Sequence, residues 1–416
     1  MTARKLLLLG CGAEQVEALR IARELGYRTL AFDNDPEAAG RAHADEFRRV
    51  DLRDARTLLG EAEIASPDGV FVHAAELAVQ AARIADALGL PGIGEESARL
   101  ATEKHLRIER LSAAGLRTPR FRTLDGEAPL AHWQAVAEEI GFPCVLKPSD
   151  QAGARGVEQI SSPTEVADYH ARRGRFAGSR FVCESLLEGL ELSTESVMAN
   201  GKVLHNAIAR RHYDTTRGYR PAFIEDGHSM PEDLPAPLRG RVHDVIERAF
   251  GALGITHGVL KGDLLIDEAH EVHVLEMAAR TSGGRFADTV VPLGTGVNIL
   301  YPLIEQAMGD AFSRDWFTPT RCVGVSQRFF LHDGARRVTR WPRFTELFQH
   351  PSVHTWHLDA DRFRSGRLPR IESHRERLGY VICTGETRAA ADDQALALTR
   401  SFAEQLGSEL LSETGS

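Results

Sequence analysis

Cysteine is sparse in this chain: Cys11, Cys144, Cys183, Cys322 and Cys383 are scattered without a close pair. That distribution indicates neither a zinc site nor a disulfide framework, and a reducing, cytoplasmic setting fits it best. Positive charge is in deficit as well. The 50 Lys and Arg residues against 59 Asp and Glu leave a net charge of -9, which argues against a nucleic-acid surface while leaving room for a local basic cradle around a small anion. No apolar run is long enough to span a bilayer, and the opening Leu6-Leu7-Leu8-Leu9 run is too short for a signal-peptide core and leads straight into Gly10-Cys11-Gly12; no membrane partner is expected. A Gly-Lys-Ser/Thr run is missing, which removes a Walker-type phosphate loop. Internal repeats and low-complexity segments are missing too, and residues 412–416 read as a frayed end.

What is there is an ordinary globular composition, 43% hydrophobic and 26% charged, over 416 residues. That length is too great for one core and suggests about three domains. Residues 5–10 read as an apolar strand, 14–25 as an amphipathic helix and 29–32 as a second strand ending at Asp33, a Rossmann-like half-domain. Asp33 stands about where a ribose-binding acid would be in a dinucleotide site, but Gln15 replaces the third glycine of that fingerprint. His73, ending a strand from Val70, either faces a ligand crevice or is hydrogen-bonded in place. A boundary is expected near 91–94, then one helix over 97–115 ended by Gly115. Residues 231–237 read as a loop on the substrate side. Near the carboxyl end, 327–330 and 378–383 suggest a small antiparallel sheet, followed by a helix over 389–406.

Chemistry concentrates in three segments. Asp263 and Glu276 lie in alternating runs joined by the turn-rich Asp267-Glu268-Ala269-His270-Glu271 link, so they read as a hairpin presenting two carboxylates on one surface, with Arg280 four residues on. Such a pair suits a divalent cation and polyphosphate, although an ordinary charged hairpin has the same pattern. Upstream, a strand carrying Lys147 runs into a loop from Ser149 to Gly156, whose Gly153 and Gly156 let backbone amides approach phosphate. Between them a strand ends at Glu184, a short linker passes Leu187, and Glu191 opens the next strand, an arrangement that offers backbone groups to a purine edge and a carboxylate to ribose hydroxyls.

In that order the segments resemble the ATP-grasp superfamily of carboxylate-amine ligases, most closely its L-amino acid ligases (dipeptide synthetases). The resemblance covers nearly the whole chain. It implies an α/β fold: an N-terminal Rossmann-like pre-ATP-grasp domain (1–95), an ATP-grasp core (96–315, with subdomains meeting near 185) and a C-terminal α+β lid (316–416). It implies ATP and Mg²⁺, with Mn²⁺ as a substitute, and small carboxylate and amine substrates. Lys104 and Lys147 match the nucleotide-binding lysines, Glu184, Leu187 and Glu191 the adenine and ribose side, and Asp263 and Glu276 the magnesium acids. Arg280 matches the arginine that grips the acyl-phosphate. Glu225, Gly227 and His228 are similar to a Glu-x-Gly-His segment that reaches substrate, and Gly283-Gly284 also matches. Two departures stand out. Ala278 occupies a position that usually carries asparagine, and Ala154 one that often carries serine.

The reaction so implied is transfer of the γ-phosphoryl group to a carboxylate, catalysed by Lys147 and Arg280 with closure of the 149–156 loop, then attack by an amine; His228 either orients the transferred phosphate or the amine, or is a loop histidine hydrogen-bonded to its neighbours. Arg210 and Arg211 are candidates for a substrate carboxylate or for a solvated face, and Lys261 for pairing with Asp263 or meeting phosphate. Selectivity is expected from the lid, the 205–230 segment and the stretch after Gly284. Two other readings stay open: an ATP-grasp enzyme with a different acceptor, as in purine-pathway or carboxylase relatives, and a non-catalytic ATP-binding module. Family members commonly form homodimers; this sequence leaves the oligomeric state open.

Overall fold

Leu6 to Leu9 are buried because they form the inner part of a parallel sheet, where both faces are covered and strands read as continuous apolar runs. The computed structural model describes residues 3–213, 221–332, 334–340 and 348–410, without the side chains of 408–410. The expected frayed end at 412–416 and part of the 205–230 segment lie outside them. β1 (Lys5–Leu9), β2 (Arg28–Asp33), β3 (Glu46–Arg49) and β4 (Gly69–Phe71) are ordered β3-β2-β1-β4. On one face, Leu6 and Leu8 pack with Leu19 and Ala22 of the helix Val16–Glu24 and with Leu300, Leu303 and Ile304 of the helix Leu300–Ala307, which ties the N-terminal layer to the rest of the chain.

The single helix expected over 97–115 is two, Glu95–Thr102 and Lys104–Ala113, because Glu103 is extended (φ -79°, ψ 114°). Tertiary hydrogen bonds override the local pattern: the Lys104 amide donates to the Ser149 carbonyl at 3.1 Å and the His105 amide to the Ser149 hydroxyl at 3.1 Å. The break is what lays Lys104 against the loop after residue 148. Gly115, at φ +72°, ends the second helix in the left-handed conformation expected of it.

β5 (Phe121–Asp125), β6 (Cys144–Pro148), β7 (Glu158–Ile160) and β8 (Arg180–Ser185) form an antiparallel sheet ordered β5-β8-β6-β7. Its core gathers Trp133, Tyr169 and Phe181. The remaining strands are β9 (Leu190–Ala199), β10 (Lys202–His212), β11 (Gly227–Met230), β12 (Gly258–Ile266), β13 (Val272–Ala278), β14 (Gly324–Phe330), β15 (Arg336–Arg340), β16 (Val353–Leu358), β17 (Arg367–Leu368), β18 (Gly379–Gly385) and β19 (Gly407–Leu410). Eight of them make one antiparallel sheet, β13-β12-β9-β10-β11-β14-β18-β16. The strands at 327–330 and 378–383 therefore pair as expected, but not as a separate small sheet: β11 pairs with β14, His228 opposite Gln327, and carries the sheet across. The helix Arg388–Gln405 covers that end, while Val242, Ile246 and Phe250 of the helix Ala236–Ala252 pack beneath Leu192, Leu260 and Val274. Among the described residues no helix is long and apolar enough to cross a membrane.

Candidate functional site

The four-stranded antiparallel sheet and the eight-stranded sheet enclose a cavity of about 400 Å³. Its wall gathers Lys104, Lys147, Gly153, Glu184, Leu187, Glu191, Glu225, His228, Asp263, Glu276, Arg280, Gly283 and Gly284 from segments spread over 180 residues of sequence. Gly156 is not among them. An added Cβ there would lie 2.6 Å from the Phe176 ring, so this glycine lets the loop pass an aromatic side chain.

Strand alternation aims the charged groups. Glu191 and Ser193 on β9, and Lys261, Asp263 and Leu265 on β12, project to the cavity at every second position. Asp263 and Glu276 sit directly opposite each other across β12 and β13, where the register shifts after Asp263. Burial alone would raise the Glu276 carboxyl, but Lys261, Arg107, Lys104 and Lys147 outweigh it and hold the group well below the usual carboxylate range. Asp263 is wedged between Arg211, at 2.5 Å, and Lys261, with Ser193 Oγ 3.4 Å from Oδ1. Lys261 thus takes the pairing role foreseen for it.

Whether these acids suit a hard divalent cation depends on the lone pairs they keep. Glu276 has a cation, Arg107, no nearer than 3.6 Å, and Asp263 keeps Oδ1 largely uncommitted. Two carboxylates on opposed rigid strands match what Mg²⁺ takes when phosphate and water supply the rest. Among the described residues no group of three or more His, Cys, Asp or Glu side chains could hold a metal alone.

Cations line the cavity beside these acids. Lys147 Nζ donates to Glu184 Oε1 at 2.5 Å, leaving Glu184 Oε2 buried without a partner. Lys104 donates to the Gln151 carbonyl, and burial pulls its ammonium down to about 8. Arg280 Nε donates to Glu76 Oε1 at 2.9 Å and Nη1 to the Thr281 carbonyl at 3.0 Å. Glu76 lies in the loop after β4, so the N-terminal layer helps set the arginine. Glu14 accepts from the Gly284 amide at 2.6 Å, and Glu195, fully buried and pushed up to about 7 by burial, accepts from the Ser282 amide at 3.2 Å. Two N-terminal carboxylates and one from β9 therefore brace the segment from Arg280 to Gly284.

At the far end, Arg211 bridges Asp263 and Glu225, its Nη2 3.1 Å from Glu225 Oε2. Glu225 also accepts from His228 Nδ1 at 3.1 Å, which leaves His228 Nε2 buried and without a partner. Burial would raise Glu225, yet Arg211, His228 and Arg377 hold it far below its usual range. The adjacent arginines separate: Arg210 turns the other way and pairs with Glu232 at 2.7 Å. Sequence reasoning missed Glu76, Glu195, His374 and Arg377. The last two lie in a His-Arg-Glu-Arg run that looks like a solvated charged turn.

The Rossmann-like loop is spent on itself. Asp33 Oδ2 accepts from the Cys11 amide at 2.7 Å, and Gln15 Oε1 takes the Gly12 amide at 2.9 Å while its Nε2 reaches the His73 carbonyl at 2.7 Å. His73 is buried against Thr281 Oγ1 at 2.8 Å, so of its two readings the packed one holds.

Residues 140–289 match the model of the ATP-grasp domain. The chain carries an ATP-grasp domain. Formate-dependent phosphoribosylglycinamide formyltransferase of Mycolicibacterium smegmatis is 28% identical over 61% of this chain and 64% of its own length. D-alanine–D-alanine ligase of Bordetella petrii is 28% identical over 50% and 63%. The chain thus spans somewhat less than two thirds of the length of these relatives. The crystal structure of L-amino acid ligase from Bacillus licheniformis superposes with a TM-score of 0.79 over 98% of this chain and 99% of that one, at 19% identity. The α/β ATP-grasp fold implied by the resemblance is the fold observed.

Proposed function

We propose that this protein is an ATP-dependent carboxylate-amine ligase that joins an amino acid to a second amino acid or small carboxylate through an acyl-phosphate, releasing ADP and phosphate. The observation that carries the reading is the joint placement of Lys104, Lys147 and Arg280 with Asp263 and Glu276 around one cavity. A pocket that only held nucleotide would have no use for charges aimed at a developing transition state.

In this reading the purine lies along Glu184 to Leu187, Glu191 takes the ribose hydroxyls, and Lys104 and Lys147 with the Gly153 loop hold the phosphates. Mg²⁺ held by Asp263 and Glu276 would offset charge on the phosphate oxygens. A substrate carboxylate oxygen attacks the γ-phosphorus, the bond to the β–γ bridging oxygen breaks, and ADP departs; Arg280 stabilises the transferred group. The amine then attacks the acyl carbon and inorganic phosphate leaves with the electron pair of the C–O bond. Because Glu225 holds the proton of His228 on Nδ1, Nε2 is the free acceptor for the proton that the amine releases. The ATP-grasp domain match supports ATP as co-substrate, and the name of the D-alanine–D-alanine ligase supports a ligase.

The test incubates the protein with Mg-ATP and pools of amino acids, measuring ADP, AMP, phosphate and product mass together. ADP formation that depends on paired amino acids supports the reading. AMP in place of ADP, or tight ATP binding without turnover against any pool, overturns it.

A further inference from the structure

The segment 372–377 lies about 150 residues beyond Glu225 and more than 200 beyond the phosphate loop, yet it touches both. Its backbone is set by a turn, His374–Glu376, capped by Ser373, whose amide and hydroxyl both reach Glu376 Oε2 at 2.7 Å. From this turn the His374 amide donates to the Gly153 carbonyl at 3.1 Å, at the glycine of the phosphate loop that lines the cavity. The His374 ring faces the other way: its Nε2 accepts from the Glu225 amide at 3.4 Å. Arg377 follows on the same side, donating to the Glu225 carbonyl at 2.6 Å while its guanidinium lies 3.7 Å from the centre of the Phe329 ring. At the outer end, Glu372 meets Arg175 at 3.3 Å, beside the Phe176 that packs on Gly156.

We propose that His374 and Arg377 are positioning residues that clasp the phosphate loop to the Glu225–His228 segment, so that covering the phosphates and assembling the amine site are one event. The proposal rests on the ligase reading for its consequence. The chemistry needs such coupling, because an acyl-phosphate formed under an open loop meets water at 55 M before it meets the amine. His374 suits the position. Burial and the nearby Arg377 hold its ring well below the usual imidazole range, so it stays neutral and keeps a lone pair for the Glu225 amide. Arg377 is half-buried beside it, with its Nε buried and unsatisfied, and its two contacts to Glu225 fix the carboxylate that orients His228.

The experiment compares wild type with His374→Ala, His374→Gln and Arg377→Met, reading amide formed per ADP released. Wild type should couple the two closely. His374→Ala and Arg377→Met should continue to release ADP while the amide per ADP falls roughly fivefold, the size of effect expected from one lost hydrogen bond. His374→Gln keeps an acceptor for the Glu225 amide and should restore most of the coupling. An unchanged ratio in both damaged variants, or parallel loss of amide and ADP at constant ratio, overturns the proposal. A readout independent of turnover separates its failure from failure of the ligase reading. Hydrogen exchange across 150–156 and 372–377, with a non-hydrolysable ATP analogue and Mg²⁺, should rise in both segments together in His374→Ala. Exchange that rises in one segment alone removes the clasp whether or not wild type proves to be a ligase.

Discussion

Lys104→Met should make the ligand-free protein more stable at neutral pH, although it removes a side chain from the centre of the cavity. The Lys104 ammonium is buried, and desolvation lowers it from 10.5 to about 8 despite Glu276 and Glu76 nearby. Protons bind the unfolded chain more tightly than the folded one at this residue, so stability rises as pH climbs from the folded value toward the unfolded one. At about 1.4 kcal/mol per tenfold change in proton affinity, the charged lysine costs the fold about 3 kcal/mol below pH 8. Methionine fills similar space without that cost, but it gives up the hydrogen bond to the Gln151 carbonyl, worth about 1 kcal/mol. A net gain of about 2 kcal/mol is expected at pH 7, closing as pH rises through 8 and reversing to a small loss near pH 10. Urea unfolding of the apo proteins at pH 7, 8.5 and 10 measures it, and ATP titration should show weakened binding at every pH. A variant less stable than wild type at pH 7, or a gap that does not move between pH 7 and 10, refutes the reasoning.

Arg280→Ala should lower turnover by about 10²- to 10³-fold while ATP affinity changes little, as for a group that works mainly in the transition state; ADP release and calorimetric titration separate the two. Glu195, raised to about 7 by burial, contributes stability that is complete below about pH 4.5 and lost as pH rises through 7. Glu195→Gln should therefore match wild type below pH 4.5 and exceed it at pH 8 by about 3 kcal/mol in denaturant unfolding, and equal stabilities at pH 8 would count against that. Gly156→Ala should cost at least about 2 kcal/mol, since φ is +68° and Phe176 is in the way, whereas Gly153→Ala, at φ +66° with open space, should cost only about 1 kcal/mol. Equal losses would mean that Phe176 yields without strain.

The hairpin of Asp263 and Glu276 was readable because its alternation and turn are local, and the lysines because each stands at the edge of an element. The choice between Arg210 and Arg211 was not. Both lie on β10, and which one faces inward depends on pairing with β9 and β11, a non-local register that two adjacent arginines do not reveal. The break at Glu103 was hidden for a related reason. Its cause is Ser149, some 45 residues away, and local helix propensity carried the pattern straight through. Glu76 and Glu195 gave no signal, since each acts by accepting a hydrogen bond from a segment far along the chain.

The seam between β11 and β14 has a practical meaning for anyone trimming this protein. A fragment ending soon after residue 289, where the sequence match stops, would leave β11 with a bare flank of amides and carbonyls. It would also strip Asp226 of Arg328, a buried partner at 2.9 Å, and removing one member of a buried ion pair is costly to a fold. The recognisable module is thus narrower than the piece that can stand alone, and a soluble minimal version must reach at least through the strand that seals that flank.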